Sequence, residues 1–318
     1  IDAFHVHSPW IIALPSILVG KILNIPVIYE VRGVWEDTDV ALGKKQEKDL
    51  KYKLIRKIET WCMKNATQIV AISKKLKEDI ISRGIDSSKI THIPNGVDTS
   101  VFSKSLISTK QVKLLKEYYG IKENEIVIGY ISSIRKLEGI QYMIEAAKYI
   151  KQKNFDFKMI IVGEGDYLSH LKIQTKTLGL SNDIIFVGKV NHNEIINYYG
   201  LIDVFVVPRI KSRVNELVTP LKPYEALAMG KALVVSNVGG LKEIIINNKT
   251  GIIFESENAE DLSNKICNLI VDKEFREKLS MNAEAYARNN FEWSVISHKY
   301  KEVYRKIMVM RGNYVEYK

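Results

Sequence analysis

The residues best suited to chemistry lie at 208–243, in the run PRIKSRVNELVTPLKPYEALAMGKALVVSNVGGLKE. An apolar run ends at Val207, and the loop after it carries Arg209, Lys211 and Arg213. Glu216 follows, then Thr219-Pro220-Leu221-Lys222-Pro223, then Glu225 and a glycine stop at Gly230. Proline is tolerated in the first turn of a helix. The spacing therefore predicts a short helix that starts near 220–223 and runs through Glu225 to Met229. Its unpaired N–H groups would point outward at the C-terminal edge of a sheet, where open α/β sheets bind ligands. Free amides and the helix dipole attract anions, and Arg209 and Lys222 flank the spot. A diphosphate has the matching charge and oxygen geometry. Glu225, in the first turn, can accept hydrogen bonds from a ribose diol.

Elements must hold these groups in place. Apolar, β-branched runs bounded by turn residues fall at 3–6, 26–31, 68–72, 89–93, 126–131, 157–162, 184–187, 204–207 and 232–236. Amphipathic segments alternate with them at 46–64, 74–83, 141–151, 167–178, 194–201 and 259–271. Such alternation implies parallel sheets built from βαβ units. Pro94-Asn95-Gly96-Val97-Asp98 breaks the series, and a domain boundary is expected at about 99–110. The expected division is an N-terminal α/β domain at 1–100, a second at 101–292, and a closing helix at 293–318 that packs back toward the first. The first series has only about four strands and opens on one directly, so further elements are expected upstream of Ile1.

Composition narrows the class. The 318 residues suffice for two α/β domains with their own cores. Apolar residues make up 46% and charged residues 26%, ordinary for a soluble globular protein. No apolar run reaches the roughly 18 residues that a spanning helix needs. The longest candidate, 10–31, is broken by Pro15, Gly20, Lys21, Asn24 and Pro26 and reads as a helix followed by a strand. Cys62 and Cys267 belong to no CxxC pair or Cys/His cluster, so two reduced, buried thiols are expected and no metal site. The net charge of +10 fits an anionic partner, whether nucleic acid, an anionic membrane surface or a phosphorylated substrate, and equally a lysine-rich surface that only keeps the protein in solution. No nucleic-acid module or aromatic-basic platform is recognisable, so nucleic acid is not that partner.

The segment resembles the signature of family 4 retaining glycosyltransferases, in which two glutamates eight positions apart precede A-x-A-x-G-x-x-V-V and a later G-G-x-x-E. Here it reads Glu225-Ala226-Leu227-Ala228-Met229-Gly230, then Gly239-Gly240-Leu241-Lys242-Glu243. Further matches are His5-Val6-His7-Ser8-Pro9, Tyr29-Glu30-Val31-Arg32-Gly33, Ile93-Pro94-Asn95-Gly96-Val97-Asp98, Val162-Gly163-Glu164-Gly165 and Trp293 before the closing helix. The forms TPLKPYEA and YEVRG-WED look most like enzymes of exopolysaccharide and capsule assembly. The resemblance implies a GT-B fold, two Rossmann-like domains facing a cleft, with the first incomplete here. It implies a hexosyltransferase-like enzyme that moves a sugar from a nucleotide-diphosphate sugar, with retention, to a glycan or lipid-linked acceptor. No cofactor or metal is implied. The expected location is the cytoplasm, with peripheral contact at the inner face of the cell membrane.

Carried over by position, Glu225 would hold the ribose, and His7 would face the transferred sugar. Val187, Gly188 and Val190 would lie in a turn touching the base. Gly129, Ser132 and Ser133 would form the loop by the phosphates, with Gly163 beside it. Thr219, Pro220 and Leu221 would border the donor. The chain departs from the pattern twice. The first family glutamate falls at Leu217, so Glu216, read as lying in the loop ahead of the helix, is the expected contact to the donor sugar. The usual arginine and lysine of the phosphate loop are Tyr130 and Glu138. The catalytic set is then His7, Glu216, Lys222 and Arg209, with Arg135 a further source of charge. The alternatives are a GT-B nucleotide-sugar epimerase and a catalytically silent nucleotide-binding relative.

Weaker signals remain. Gly163-Glu164-Gly165 lacks the third glycine of a dinucleotide fingerprint, since Leu168 stands there. His5 and His7 are read as facing opposite sides of a strand, which leaves no metal motif. Lys44, Lys45, Lys48, Lys51, Lys53, Arg56 and Lys57 crowd one helix start, either as a solvated face or for docking on anionic lipid.

Overall fold

The computed structural model describes residues 1–41, 43 and 46–310. Lys44 and Lys45 of the basic cluster lie outside the described residues. The chain divides into two compact units, each on its own parallel sheet.

Unit 1 comprises Ile1–Asn95, Ser212–Thr219 and Trp293–Lys318. Its strands are β1 (Phe4–His7), β2 (Val27–Val31), β3 (Gln68–Ala71) and β4 (Ile90–His92), side by side in that order. Between them run α1 (Trp10–Leu23), α2 (Trp35–Ala41), α3 (Leu50–Asn65) and α4 (Lys74–Ser82). The 10–31 run is thus α1 followed by β2. Both faces of the sheet are covered, which is why β2 is buried along its whole length. Val27, Tyr29 and Val31 pack with Ala13, Ile17, Cys62 and Leu76. Ile28 on the other face meets Ile296, Val303 and Ile307 of the closing helix.

Unit 2 comprises Gly96–Lys211 and Pro220–Glu292. The elements within it, with one exception, are α5 (Thr109–Tyr119), β5 (Ile126–Ile131), α6 (Ile140–Gln152), β6 (Phe157–Val162), α7 (Leu168–Thr177), β7 (Ile184–Gly188), α8 (Ile195–Leu201), β8 (Val204–Val207), α9 (Arg213–Leu217), α10 (Lys222–Ala228), β9 (Ala232–Ser236), α11 (Gly239–Lys242), β10 (Ile252–Phe254), α12 (Ala259–Val271) and α13 (Lys273–Asn290). The exception is α9, which belongs to unit 1, as does the last helix, α14 (Trp293–Met310). The sheet order is β10-β9-β8-β5-β6-β7, all parallel. Alternate residues feed two cores, Val127 and Ile131 on one face, Ile128 and Tyr130 on the other. Helix α6 faces the sheet with Ile140, Met143, Ile144, Ala147 and Ile150, the 3.6-residue stripe of a core-facing helix.

Unit 2 begins at Gly96, a few residues before the expected boundary region. Val97 N–H donates to Phe291 O at 2.8 Å, which ties this start to the end of α13. The short strand β10 and the helices α5 and α13 went unread in the sequence. Cys62 and Cys267 are buried and unpaired, and burial pushes the Cys62 thiol up to about 12. Among the described residues, no helix is long and apolar enough to cross a membrane.

Candidate functional site

In unit 2 the order changes direction between β8 and β5. Loops leaving such a switch point open a crevice at the C-terminal strand ends. A cavity of about 400 Å³ lies at the ends of β5, β6 and β7. Ile131, Ser132, Ser133, Val162 and Gly163 form one part of its lining. Lys189, Val190, Asn191, His192 and Ile195 form another, and Lys222 completes it. The structure thus gathers the expected Ser132, Ser133, Gly163, Val190 and Lys222 around one space. Asn191 and His192 were missed by the sequence reading. Only their place between a strand end and α8 marks them, and no spacing rule points to it.

Gly163 shows why the loop can form. Its φ is +139°, a region L side chains avoid. An added Cβ would stand 1.9 Å from Ser132 O. Its N–H donates to Gly188 O at 2.9 Å, which joins the loop to the β7 turn. Gly129 plays a different part from the expected loop role. It sits inside β5, paired with Ile160 and Phe205, and a Cβ there would lie 2.2 Å from Ile202. It is a packing glycine, not a phosphate-loop residue.

Helix α10 begins at Lys222, with Pro223 in its first turn. Fewer amides are free there than the sequence suggested. Pro223 has no N–H, and those of Tyr224 and Glu225 donate to Leu221 O. Positive charge comes instead from the Lys222 side chain. Its Nζ lies 2.8 Å from Glu225 Oε2 and 3.1 Å from Oε1. The buried Tyr199 hydroxyl donates to Glu225 Oε2 at 2.9 Å. Burial first, then the Glu225 charge, push that phenol well above its ordinary value, so it stays a donor. A carboxylate has about four acceptor sites, so Glu225 keeps capacity for a ligand diol. Pro220 and Leu221 lead into α10, with Leu221 half exposed.

Arg209 stands differently from its expected place beside a free phosphate. Its guanidinium forks onto Glu138, Nε to Oε2 at 3.0 Å and Nη2 to Oε1 at 3.1 Å, and both residues are buried. Arg135 approaches the same carboxylate at 3.8 Å. Glu138 occupies the position of the resemblance's usual lysine, so the local charge signs are exchanged and matched internally. Such a bidentate pair fixes the loop from Ser132 to Gly139.

Unit 1 holds the rest. Glu216 lies in the short helix α9, not in a loop. That segment is counted with unit 1 because its side chains are. Leu217, Val214 and Val218 join the unit 1 core. Leu217 O accepts from Ser73 Oγ at 2.5 Å. Thr219 is buried, and its carbonyl and hydroxyl both accept from Asn95 Nδ2 at 3.1 Å. Arg213 reaches Asp37 at 2.8 Å and also contacts Asp79.

His5 and His7 point to the same side of β1, contrary to the expectation of opposite sides. Residues two apart share a strand face. Their rings stack at 5.3 Å, 9° from parallel. Beside them on the neighbouring strand β2 lies the buried Glu30. Its Oε2 is 3.0 Å from His5 Nε2 and accepts from Tyr300 at 3.0 Å. Its Oε1 accepts from Arg32 at 2.6 Å and lies 3.6 Å from His7 Nδ1. Burial alone would raise this carboxyl. Hydrogen bonds from His5 and Arg32, with the His7 charge, outweigh it and hold Glu30 at about 2. His5, His7 and Glu30 bring ligand-type atoms within 4.8 Å of one another. The Arg32 guanidinium already lies against Glu30, where it would repel a metal cation, so the geometry is that of an ion-pair network. His7 is half exposed at its edge.

Residues 93–286 match the family "Glycosyl transferases group 1", and residues 1–101 match "Glycosyltransferase Family 4". The capsular polysaccharide biosynthesis glycosyltransferase CapM of Staphylococcus aureus is 26% identical over 316 residues, covering 96% of this chain and 79% of that one. An Escherichia coli UDP-Gal:alpha-D-GlcNAc-diphosphoundecaprenol alpha-1,3-galactosyltransferase is 27% identical over 314 residues, covering 97% and 76%. The chain spans between 65% and 79% of the length of the first curated relatives it matches. Among solved structures, Anabaena Alr3699/HepE in complex with UDP superimposes with a TM-score of 0.81 at 19% identity, over 95% of this chain and 79% of that one. The likeness to HepE establishes the GT-B fold. The family match spans more than half of the residues, and the chain therefore belongs to the glycosyl transferases group 1 family.

Proposed function

We propose that this chain moves a hexose from a nucleotide-diphosphate sugar to a glycan or lipid-linked acceptor, with retention, in surface polysaccharide assembly. The observation that carries the reading is the unit 2 cavity at the strand ends, with Lys222 on its wall and Glu225 behind it. The names of CapM and the E. coli galactosyltransferase support the class of product, and the HepE–UDP complex supports a uridine nucleotide as donor.

The chemistry follows from charge. The bond from the sugar C1 to the terminal phosphate oxygen breaks, and a bond from C1 to the acceptor oxygen forms. Negative charge grows on the departing diphosphate, which takes the acceptor proton. Lys222 and Lys189 stabilise that charge, and Ser132 and Ser133 offer hydroxyls and amides. Such preset donors act most strongly where charge develops in the transition state. The ribose belongs with Glu225, and the base with Val187, Gly188 and Val190. His7 and Glu216 act on the transferred sugar. The ammonium groups supply the charge that a metal would otherwise provide, so turnover should survive chelation.

Calorimetry with UDP, GDP and ADP tests the reading. One diphosphate should bind, and Glu225→Ala should weaken it roughly 10- to 100-fold, the worth of charged hydrogen bonds. Lys222→Ala should lower turnover of the full protein about 100-fold. Unaltered binding in Glu225→Ala, with the fold intact, would reject the ribose assignment. No heat with any nucleotide would reject the donor site.

A further inference from the structure

The outward face of α3 has a composition that solvation alone does not explain. Leu50, Leu54 and Trp61 are 85%, 58% and 38% exposed there. Lys53, Lys57 and Lys64, all exposed, sit among them. Offsets of 3, 4, 7, 11 and 14 from Leu50 place these residues on one stripe about 100° wide. The opposite face is buried through Tyr52, Glu59, Cys62 and Met63. Along the stripe runs a groove of about 870 Å³, lined also by Ser82 and Arg83 at the end of α4. Among the described residues lining it, none is acidic. Arg56 and Arg83 are turned onto the buried Glu36. Lys53, Lys57 and Lys64 have no carboxylate partner among the described residues.

Large apolar side chains held in water among unpaired ammonium groups suit one environment, the boundary of an anionic bilayer. Lysine stems reach up to phosphates while leucine and tryptophan enter the acyl boundary. Tryptophan favours headgroup depth. A second copy of this chain fits poorly, because a two-fold contact sets the same lysines against each other. An acidic soluble partner would satisfy the charges but would leave the three apolar side chains needing a matching apolar surface.

We propose that the α3 groove docks unit 1 on an anionic lipid surface, with lipid phosphates on Lys53, Lys57 and Lys64 and with Leu50, Leu54 and Trp61 below the headgroups. The groove lies wholly in unit 1 and the nucleotide cavity wholly in unit 2. The inference therefore stands whether or not the donor assignment does.

The test is flotation of the full chain with vesicles of phosphatidylcholine, with and without phosphatidylglycerol, at low and high salt. Binding is expected only with phosphatidylglycerol, and it should weaken as salt screens the charges. Each lysine near such a surface contributes about five-fold. Lys53→Ala/Lys57→Ala/Lys64→Ala should then weaken binding about 100-fold. Leu54→Ser/Trp61→Ser should weaken it at unchanged charge. All five positions are exposed, and unchanged thermal unfolding would confirm that the variants fold. Trp61 emission should shift to shorter wavelength on binding, and the shift should be lost in Trp61→Phe. Failure of the wild type to float, equal flotation with phosphatidylcholine alone, or equal flotation of the lysine variant would each overturn the proposal. So would a dimer that dissociates in Leu54→Ser/Trp61→Ser without any vesicle binding, which would assign the groove to a second copy.

Discussion

At the scale of single residues, Glu30 shows how burial and pairing combine. Its carboxyl titrates at about 2 in the folded protein, against roughly 4.3 in an unfolded chain. A depressed folded value means that the unfolded state binds protons first as pH falls. The stabilisation is complete at neutral pH and is lost between about pH 5 and pH 2, with roughly 2–3 kcal/mol at stake. Glu30→Gln should remove that part of the acid limb in urea titrations taken across this range. An unchanged limb would show that Arg32 and His5 do not hold the charge. His92 adds a separate slope. Burial first, then the charges of Lys299 and Lys74, hold its imidazole down to about 4. The unfolded chain binds that proton from about pH 6.5 downward, so stability falls from pH 6.5 to 4 on its account. The two slopes overlap between about pH 5 and pH 4 and are separated by the variants Glu30→Gln and His92→Gln.

At the scale of elements, α9 decides where Glu216 stands. Five residues cannot hold a helix by themselves. Tertiary contacts hold this one: Ser212 caps it by accepting from Asn215 N–H at 3.2 Å, Ser73 binds Leu217 O, and Arg213 bridges Asp37 and Asp79. Removing Arg213 leaves two buried carboxylates short of a partner. Asp79 keeps Arg83, and Asp37 keeps the Tyr52 hydroxyl. Arg213 is itself partly exposed. The cost is therefore expected at about 2 kcal/mol, below the 3–5 of a fully buried pair. Arg213→Ala should lower kcat while nucleotide affinity, a unit 2 property, stays within two-fold. Adding Glu216→Gln should then cost little more, because both changes remove the same placed carboxylate. Full additivity in that cycle would mean that Arg213 supports the fold of unit 1 without setting Glu216.

At the scale of the whole molecule, each unit has its own sheet and cores, but unit 1 is assembled from three separate stretches of chain. Helix α14 closes one face of its sheet through Ile296, Val303 and Ile307. Separate cores permit separate cooperative unfolding. Calorimetric scans should show two transitions. A nucleoside diphosphate at 100 times its Kd should stabilise one of them, that of unit 2, by about 2.7 kcal/mol. Helix α14 serves the other unit, so Val303→Ala should lower only the transition that nucleotide leaves unmoved. A single transition shifted as a whole by both changes would show that the two cores unfold together.

Most of the sheet framework was legible in the sequence because both faces of a parallel sheet are buried. Its strands therefore appear as unbroken apolar runs, and nine of the ten were read near their true bounds. The three-residue β10 was too short to stand out. Of the lining residues, Lys222 could be picked out from the local signal of a proline-started helix, whereas Ser132, Ser133, Gly163 and Val190 were reached only through the resemblance, by position in the family pattern. Partnership was not legible. Glu138 and Arg209 lie 71 positions apart, and Ser73 and Leu217 lie 144 apart. Local spacing says nothing of such meetings. Only the tertiary structure showed that Arg209 is already matched, that Ser212–Thr219 belongs to unit 1, and that His5 and His7 converge on Glu30. The reason is physical: hydrophobic period depends on neighbours along the chain, whereas the charge a side chain still has to offer depends on what the fold has packed against it.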